Sequence, residues 1–136
     1  MSELRTVLVV EDNEQNLELV VFLLEEAGLE VRSAGDAETA LEILSSTAPD
    51  LILMDMQLPG TDGLALVSRL RQSPSTAAVP IVALTAHAMR GDRERFLSGG
   101  CDAYLAKPID TTSFLDELRR VHRSSPWRAG LPGHEP

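Results

Sequence analysis

Five times along the chain a short apolar run, rich in β-branched residues and leucine, is followed by a segment with the three-to-four-residue period of an amphipathic helix. No other feature limits the fold as strongly. Strands that alternate with helices pair in parallel, and a parallel sheet needs helices over both faces. Right-handed crossovers then wind the chain into a doubly wound α/β sheet, in which ligands bind beyond the carboxyl ends of the strands.

The pattern places strands at Thr6 to Val10, Leu29 to Ser33, Leu51 to Met54, Val79 to Leu84 and Ala103 to Ala106. Pro80 is tolerable only near the beginning of the fourth. The first helix has Asp12 or Asn13 as its cap, carries Leu17, Val20, Val21 and Leu24 on one face, and stops at Gly28. Asp36 caps a second helix with Ala37, Ala40, Leu41 and Leu44 inward, and Asp62 opens a third with Leu66, Val67 and Leu70 inward. A weaker helix, Met89 to Ser98, ends at Gly99-Gly100, and Asp110 or Thr111 caps a last one with Phe114, Leu115, Leu118 and Val121 facing in.

At 136 residues the chain reads as one domain, residues 1–123, with a C-terminal tail over 124–136. "RSSPWRAGLPGHEP" holds three Pro and two Gly in fourteen residues without periodicity, so the tail is expected to be disordered. Trp127 within it is expected to be solvent-exposed or, alternatively, a partner anchor. The net charge of -9 disfavours nucleic acid and anionic membranes as partners, because phosphate backbones are held by clustered Lys and Arg. Any phosphate handled here must come with a cation. Cys101 is the single cysteine, which fits a reducing, cytoplasmic setting, and it reads as a small packed apolar residue. No apolar run approaches a membrane span, and no signal-peptide pattern is read at the N-terminus.

The polar residues that matter should follow the strands, and they do. The first strand ends in Glu11-Asp12, the third in Asp55, the fourth in Thr85 and the fifth in Lys107. Three carboxylates on one rim would raise one another's pKa unless a cation sat among them. All-oxygen ligation with few direct carboxylates suits Mg2+, which keeps some of its waters. A carboxylate beside Mg2+ and a Lys can also attack a phosphoryl group, since that transfer needs mainly positioning, an in-line nucleophile and cations on the equatorial oxygens. On this reading Asp55 carries a phosphoryl group. Lys107 pairs with Asp55 in the empty site and with phosphoryl oxygens in the full one, while the Thr85 hydroxyl donates to another oxygen.

These residues resemble the receiver domains of response regulators in two-component signalling, over about Thr6 to His122. Glu11 and Asp12 match the family's acidic pair, Asp55 its phosphoacceptor, Thr85 its switch hydroxyl, Tyr104 its switch aromatic, and Lys107-Pro108 its Lys-Pro. The spacings agree: 43 residues from Asp12 to Asp55, 30 on to Thr85 and 22 more to Lys107. The resemblance implies a flavodoxin-like (βα)5 sheet of strand order 2-1-3-4-5 and a cis Lys107-Pro108 bond. It implies Mg2+ held by Glu11, Asp12, Asp55 and the backbone carbonyl of Gln57. It also implies a phosphoryl donor that is a histidine kinase or histidine phosphotransfer protein, and a target that reads the face built from the fourth helix, fifth strand and fifth helix. No separate enzyme activity is expected beyond self-catalysed phosphorylation and dephosphorylation of Asp55.

Gln57 and His87 each stand two residues past an active-site position, so both are candidates for tuning the lifetime of the acyl phosphate; His87 otherwise reads as a plain loop histidine. Two other classes compete. A haloacid-dehalogenase-like phosphatase would need a second Asp where Gln57 stands. A flavodoxin-like electron carrier would need hydroxyls and Gly in the loop that here reads "EDNEQN", and no Walker-type GxxxxGK[ST] follows any strand.

Overall fold

The computed structural model describes residues 3–58, 60–86 and 91–124. The strands β1 (Thr6–Val10), β2 (Glu30–Ala34), β3 (Leu51–Asp55), β4 (Ile81–Thr85) and β5 (Ala103–Ala106) alternate with α1 (Glu14–Glu26), α2 (Ala37–Leu44), α3 (Gly63–Gln72), α4 (Asp92–Ser98) and α5 (Phe114–Ser124). All strand pairs are parallel, in the order β2-β1-β3-β4-β5.

Side-chain alternation divides the core into two layers. Val7, Val9, Leu51, Leu53, Val82 and Leu84 point to the face covered by α1 and α5, where Val20, Leu24, Phe114, Leu118 and Val121 meet them. Leu8, Val10, Ile52, Met54, Ile81 and Ala83 point to the other face, against Ala40 and Leu44 of α2, Leu66, Val67 and Leu70 of α3, and Phe96 of α4. Each buried Val, Leu, Ile, Met or Phe among them stabilises the fold by about 1.5–3 kcal/mol relative to its exposed form, so the central strands fix the frame on which the rim is built.

Local chemistry sets the boundaries. Asn13 caps α1, its Oδ1 accepting from Asn16 N at 2.9 Å, and Asp36 caps α2 through Thr39 N at 2.7 Å. Asp62 accepts from Leu64 N and caps α3. Gly63 is required there, because a Cβ would lie 2.9 Å from Met56 Cα. That close approach brings the start of α3 against the chain just past Asp55.

β4 starts at Ile81, two residues later than the apolar pattern suggests, because Pro80 has no N–H for the ladder; its carbonyl accepts from Ile52 N. β2 is shifted one residue, to Glu30–Ala34. β3 continues through Asp55, since Met56 N still donates to Leu84 O. Asp110 accepts from Thr112 N and Oγ1, forming a turn ahead of α5. The helix itself starts at Phe114, whose N–H reaches Asp110 O. The Lys107-Pro108 peptide is cis, as the resemblance implies. Met89 and Arg90, expected to begin α4, and residues 125–136 of the expected tail lie outside the described residues, as does Trp127.

Candidate functional site

The same alternation that builds the core assembles the rim. Val9 pairs with Leu53 and Val10 with Met54. Two residues beyond Val9 and Leu53, Glu11 and Asp55 therefore emerge side by side, on the α1/α5 side of the sheet. Asp55 also pairs with Leu84, and Leu84 with Leu105. Lys107, two residues past Leu105, has the same orientation, and its N–H is held by Thr85 O at 2.8 Å.

Lys107 Nζ lies 2.8 Å from Glu11 Oε1 and 3.3 Å from Asp55 Oδ2. Both acids are buried, Glu11 to 1% and Asp55 to 2% exposure. Glu11 Oε2 accepts from Asn13 N, and Asp55 Oδ1 from Gln57 N at 2.9 Å. Carboxylate oxygens of Glu11, Asp12 and Asp55 come within 4.8 Å of one another, with Asp12 on the exposed side.

Burial opposes charge on all three inner groups, and the contacts decide which keep it. Burial and the contact with the Asp55 carboxylate hold Glu11 above the usual carboxylate range, against the pull of Lys107 and the Asn13 amide. Burial alone would raise Asp55 too. The shared contact with Glu11, the Gln57 amide and Lys107 together outweigh it, so Asp55 lies below the usual range. Lys107 is raised, burial being overcome by the two acids. Within one buried cluster the contacts thus push the two acids in opposite directions, Glu11 up and Asp55 down, while Lys107 is held toward its charged form.

The donor set fits a hard cation. It consists of carboxylate oxygens with one exposed edge, and Glu11 Oε1 is buried with an ammonium beside it but no directed hydrogen bond. A divalent ion placed there would satisfy an oxygen that the protein leaves without a directed partner.

Thr85 is 2% exposed and ends β4 on the face opposite to Asp55, the side of α3 and α4. It borders a cavity of about 190 Å3 with Gln57, Asp62, Arg95 and Phe96. Tyr104, half-buried on the same face, pairs in register with Ala83 and stacks obliquely on Phe96 at 5.9 Å and 45°. Cys101 is a packed core residue at 3% exposure. His87 lies outside the described residues.

Three features were not anticipated from the residues. Phe96 forms a wall between Tyr104 and the Thr85 cavity. The Gln57 side chain accepts from Ala86 N at 3.1 Å. Leu19 and Phe22 stand 38% and 59% exposed on α1; their three-residue spacing on an otherwise acidic helix face was the signal available.

Comparison with known proteins identifies the family. The family model of the response regulator receiver domain matches residues 7–119. The chain is 40% identical over 115 residues to the polar-differentiation response regulator DivK of Brucella anthropi, covering 85% of this chain and 94% of that protein. Among solved structures, it resembles the receiver domain of the sensor histidine kinase PA1611 of Pseudomonas aeruginosa, which has a magnesium ion coordinated in its active site cleft. That match has a TM-score of 0.80 at 36% identity, over 88% of this chain and 98% of that one. The chemotaxis response regulator CheY4 of Vibrio cholerae aligns with a TM-score of 0.81 at 28% identity, over 87% and 98%. With sheet order, acidic rim and family match in agreement, this chain belongs to the response regulator receiver domains of two-component signalling.

Proposed function

We propose that Asp55 accepts a phosphoryl group from the phosphohistidine of a histidine kinase or histidine phosphotransfer protein, and that this modification switches protein contacts in the cytoplasm. The observation that carries the reading is the buried Asp55 carboxylate held 3.3 Å from Lys107 beside an oxygen-only acidic cluster. An Asp55 carboxylate oxygen forms the new P–O bond as the P–N bond to the donor imidazole breaks, and the imidazole leaves with the bonding pair. Glu11, Asp12, Asp55 and the Gln57 carbonyl would hold Mg2+, which supplies charge neutralisation on the equatorial oxygens. Lys107 turns from the carboxylate pair to the transferred group, and the Thr85 hydroxyl donates to a further oxygen.

The donor must reach the rim across neighbouring surface. α1 begins one residue after Asn13, whose amide is bonded to Glu11, and it carries exposed Leu19 and Phe22 within its first three turns. That apolar pair is assigned to the phosphohistidine-bearing partner. The downstream partner is assigned to the α4, β5 and α5 face, where Tyr104 borders a groove of about 430 Å3 with Arg93, Leu97 and Glu117.

The test is phosphorylation by acetyl phosphate and by a phosphohistidine protein. The expected product is acid-stable, labile to base and hydroxylamine, dependent on Mg2+ and absent in Asp55→Asn; undiminished labelling of that variant overturns the reading. Phe22→Glu should slow transfer from the protein donor while leaving acetyl phosphate labelling unchanged, and equal slowing of both removes α1 from the docking surface.

A further inference from the structure

The backbone of β4 presents alternate residues to its two neighbours. Leu84 O accepts from Met56 N on the β3 side, and Thr85 O accepts from Lys107 N on the β5 side. Ala86, next in line, turns its N–H back toward β3, at the rung just beyond Asp55. No backbone carbonyl of β3 takes it, because that strand ends at Asp55 and the chain turns away. The Gln57 side chain supplies the acceptor, its Oε1 lying 3.1 Å from Ala86 N. Gln57 N meanwhile donates to Asp55 Oδ1. One residue thus joins the nucleophile through its backbone and the exit of β4 through its side chain.

We infer that the Gln57 side chain is a positioning residue, a latch that occupies the Ala86 amide while Asp55 is unmodified and must release it when Asp55 is phosphorylated. The inference rests on the phosphoacceptor reading of Asp55. A phosphoryl group on Asp55 adds anionic oxygens beside the end of β4, and an amide aimed toward β3 is the kind of fixed donor such oxygens recruit. An amide cannot serve both acceptors fully. The carboxamide is neutral and exposed, so a dianion displaces it at modest cost. Its role is to hold the start of the β4–α4 connection in the unmodified arrangement, next to Thr85.

The test compares wild type with Gln57→Met, which keeps the length without an acceptor, and Gln57→Glu, which keeps the acceptor. Amide exchange of Ala86 in the unmodified chain should quicken in Gln57→Met and stay protected in Gln57→Glu. With acetyl phosphate and Mg2+, Gln57→Met should be phosphorylated about 2- to 10-fold faster than wild type, the range set by the net worth of one hydrogen bond. In phosphorylated wild type, the Ala86 amide resonance should move to the position it holds in phosphorylated Gln57→Met. Unchanged Ala86 exchange in Gln57→Met overturns the latch. Faster exchange with an unchanged phosphorylation rate also overturns it, because Gln57 then merely caps a sheet-end amide. Failure of the phosphoacceptor reading looks different: wild type itself takes no phosphoryl group.

Discussion

Arg71 of α3 and Asp102 ahead of β5 form a 2.9 Å ion pair whose side chains are 8% and 1% exposed, at the opposite end of the sheet from the acidic rim. The guanidinium also donates to the carbonyls of Ala77, Val79 and Gly100, and the Asp102 carboxylate accepts from Ile81 N. Gly100 permits this approach: its φ of 116° suits only glycine, and a Cβ would meet Arg71 Cγ at 3.2 Å. The pair therefore stitches the α3–β4 connection, the start of β4 and the turn after α4 into one unit.

Removing one partner of such a pair leaves a buried charge uncompensated. Arg71→Met, which keeps most of the stem, should destabilise the fold by about 3–5 kcal/mol in chemical denaturation. A loss below about 1 kcal/mol would show that the carbonyls and Asp102 find other partners.

The raised pKa of Glu11 ties cation binding to pH. If a divalent ion takes Glu11 as a ligand, it competes with the proton there, because a protonated Glu11 is neutral. Mg2+ affinity should fall as pH drops through the raised Glu11 value, and binding just above the ordinary carboxylate range should release protons. For folding without metal the signs are opposed. Glu11, raised, contributes stability at low pH that is lost as pH rises through its folded value; Asp55, lowered, contributes stability lost as pH falls through its own. Calorimetric titration in buffers of different ionisation enthalpy measures the proton count, and Glu11→Gln should abolish that release. An affinity that does not fall as pH drops into the carboxylate range would contradict the assignment.

The rim was legible in the sequence because its residues end strands. A strand can be recognised by its apolar run, so the acid, hydroxyl or ammonium that follows is located by the topology alone, and Glu11, Asp55 and Lys107 meet as that logic requires. The opposite directions in which Glu11 and Asp55 shift were not legible. They depend on burial, on the contact between the two acids, on the Asn13 and Gln57 amides and on the reach of Lys107. Element ends were displaced where a single backbone group decided them, as at Pro80. Phe96 and the Arg71–Asp102 pair escaped notice for a different reason: each draws its meaning from a partner on another element, and a helix pattern says which side is buried without naming the neighbour.

Cys101 should be inert in the native state. Burial pushes its thiol up to about 12, against the pull of Arg71, so the reactive thiolate is nearly absent at mildly alkaline pH. Alkylation of the native chain should proceed only as fast as the domain opens, and denaturant should accelerate it by orders of magnitude. Rapid modification under native conditions would mean that the turn between α4 and β5 opens on its own.

Thr85 and Tyr104 share the α3/α4 face of the sheet, two residues apart in register, since Tyr104 pairs with Ala83. They border different spaces. Thr85 borders the cavity of about 190 Å3 beside Met56 and Gln57, and Tyr104 borders the groove between α4 and α5. Phe96, 4% exposed and 5.9 Å from the Tyr104 ring, stands between the two. If Thr85 moves toward a phosphorylated Asp55, Tyr104 can follow into the vacated space only as Phe96 and α4 shift, and that shift would reshape the groove a partner reads. The coupling should fall in the usual allosteric range, so phosphorylation should change partner affinity by about 5- to 150-fold. Thr85→Ala should still accept phosphate at Asp55 while losing most of that change, and Tyr104→Ala should do the same. Phe96→Leu, which keeps the core filled but narrows the wall, should shrink the difference between the two states without blocking phosphorylation. Partner binding to phosphorylated and unphosphorylated forms of each variant provides the measurement. Full retention of the affinity change in Thr85→Ala would send the signal out of the site by another route.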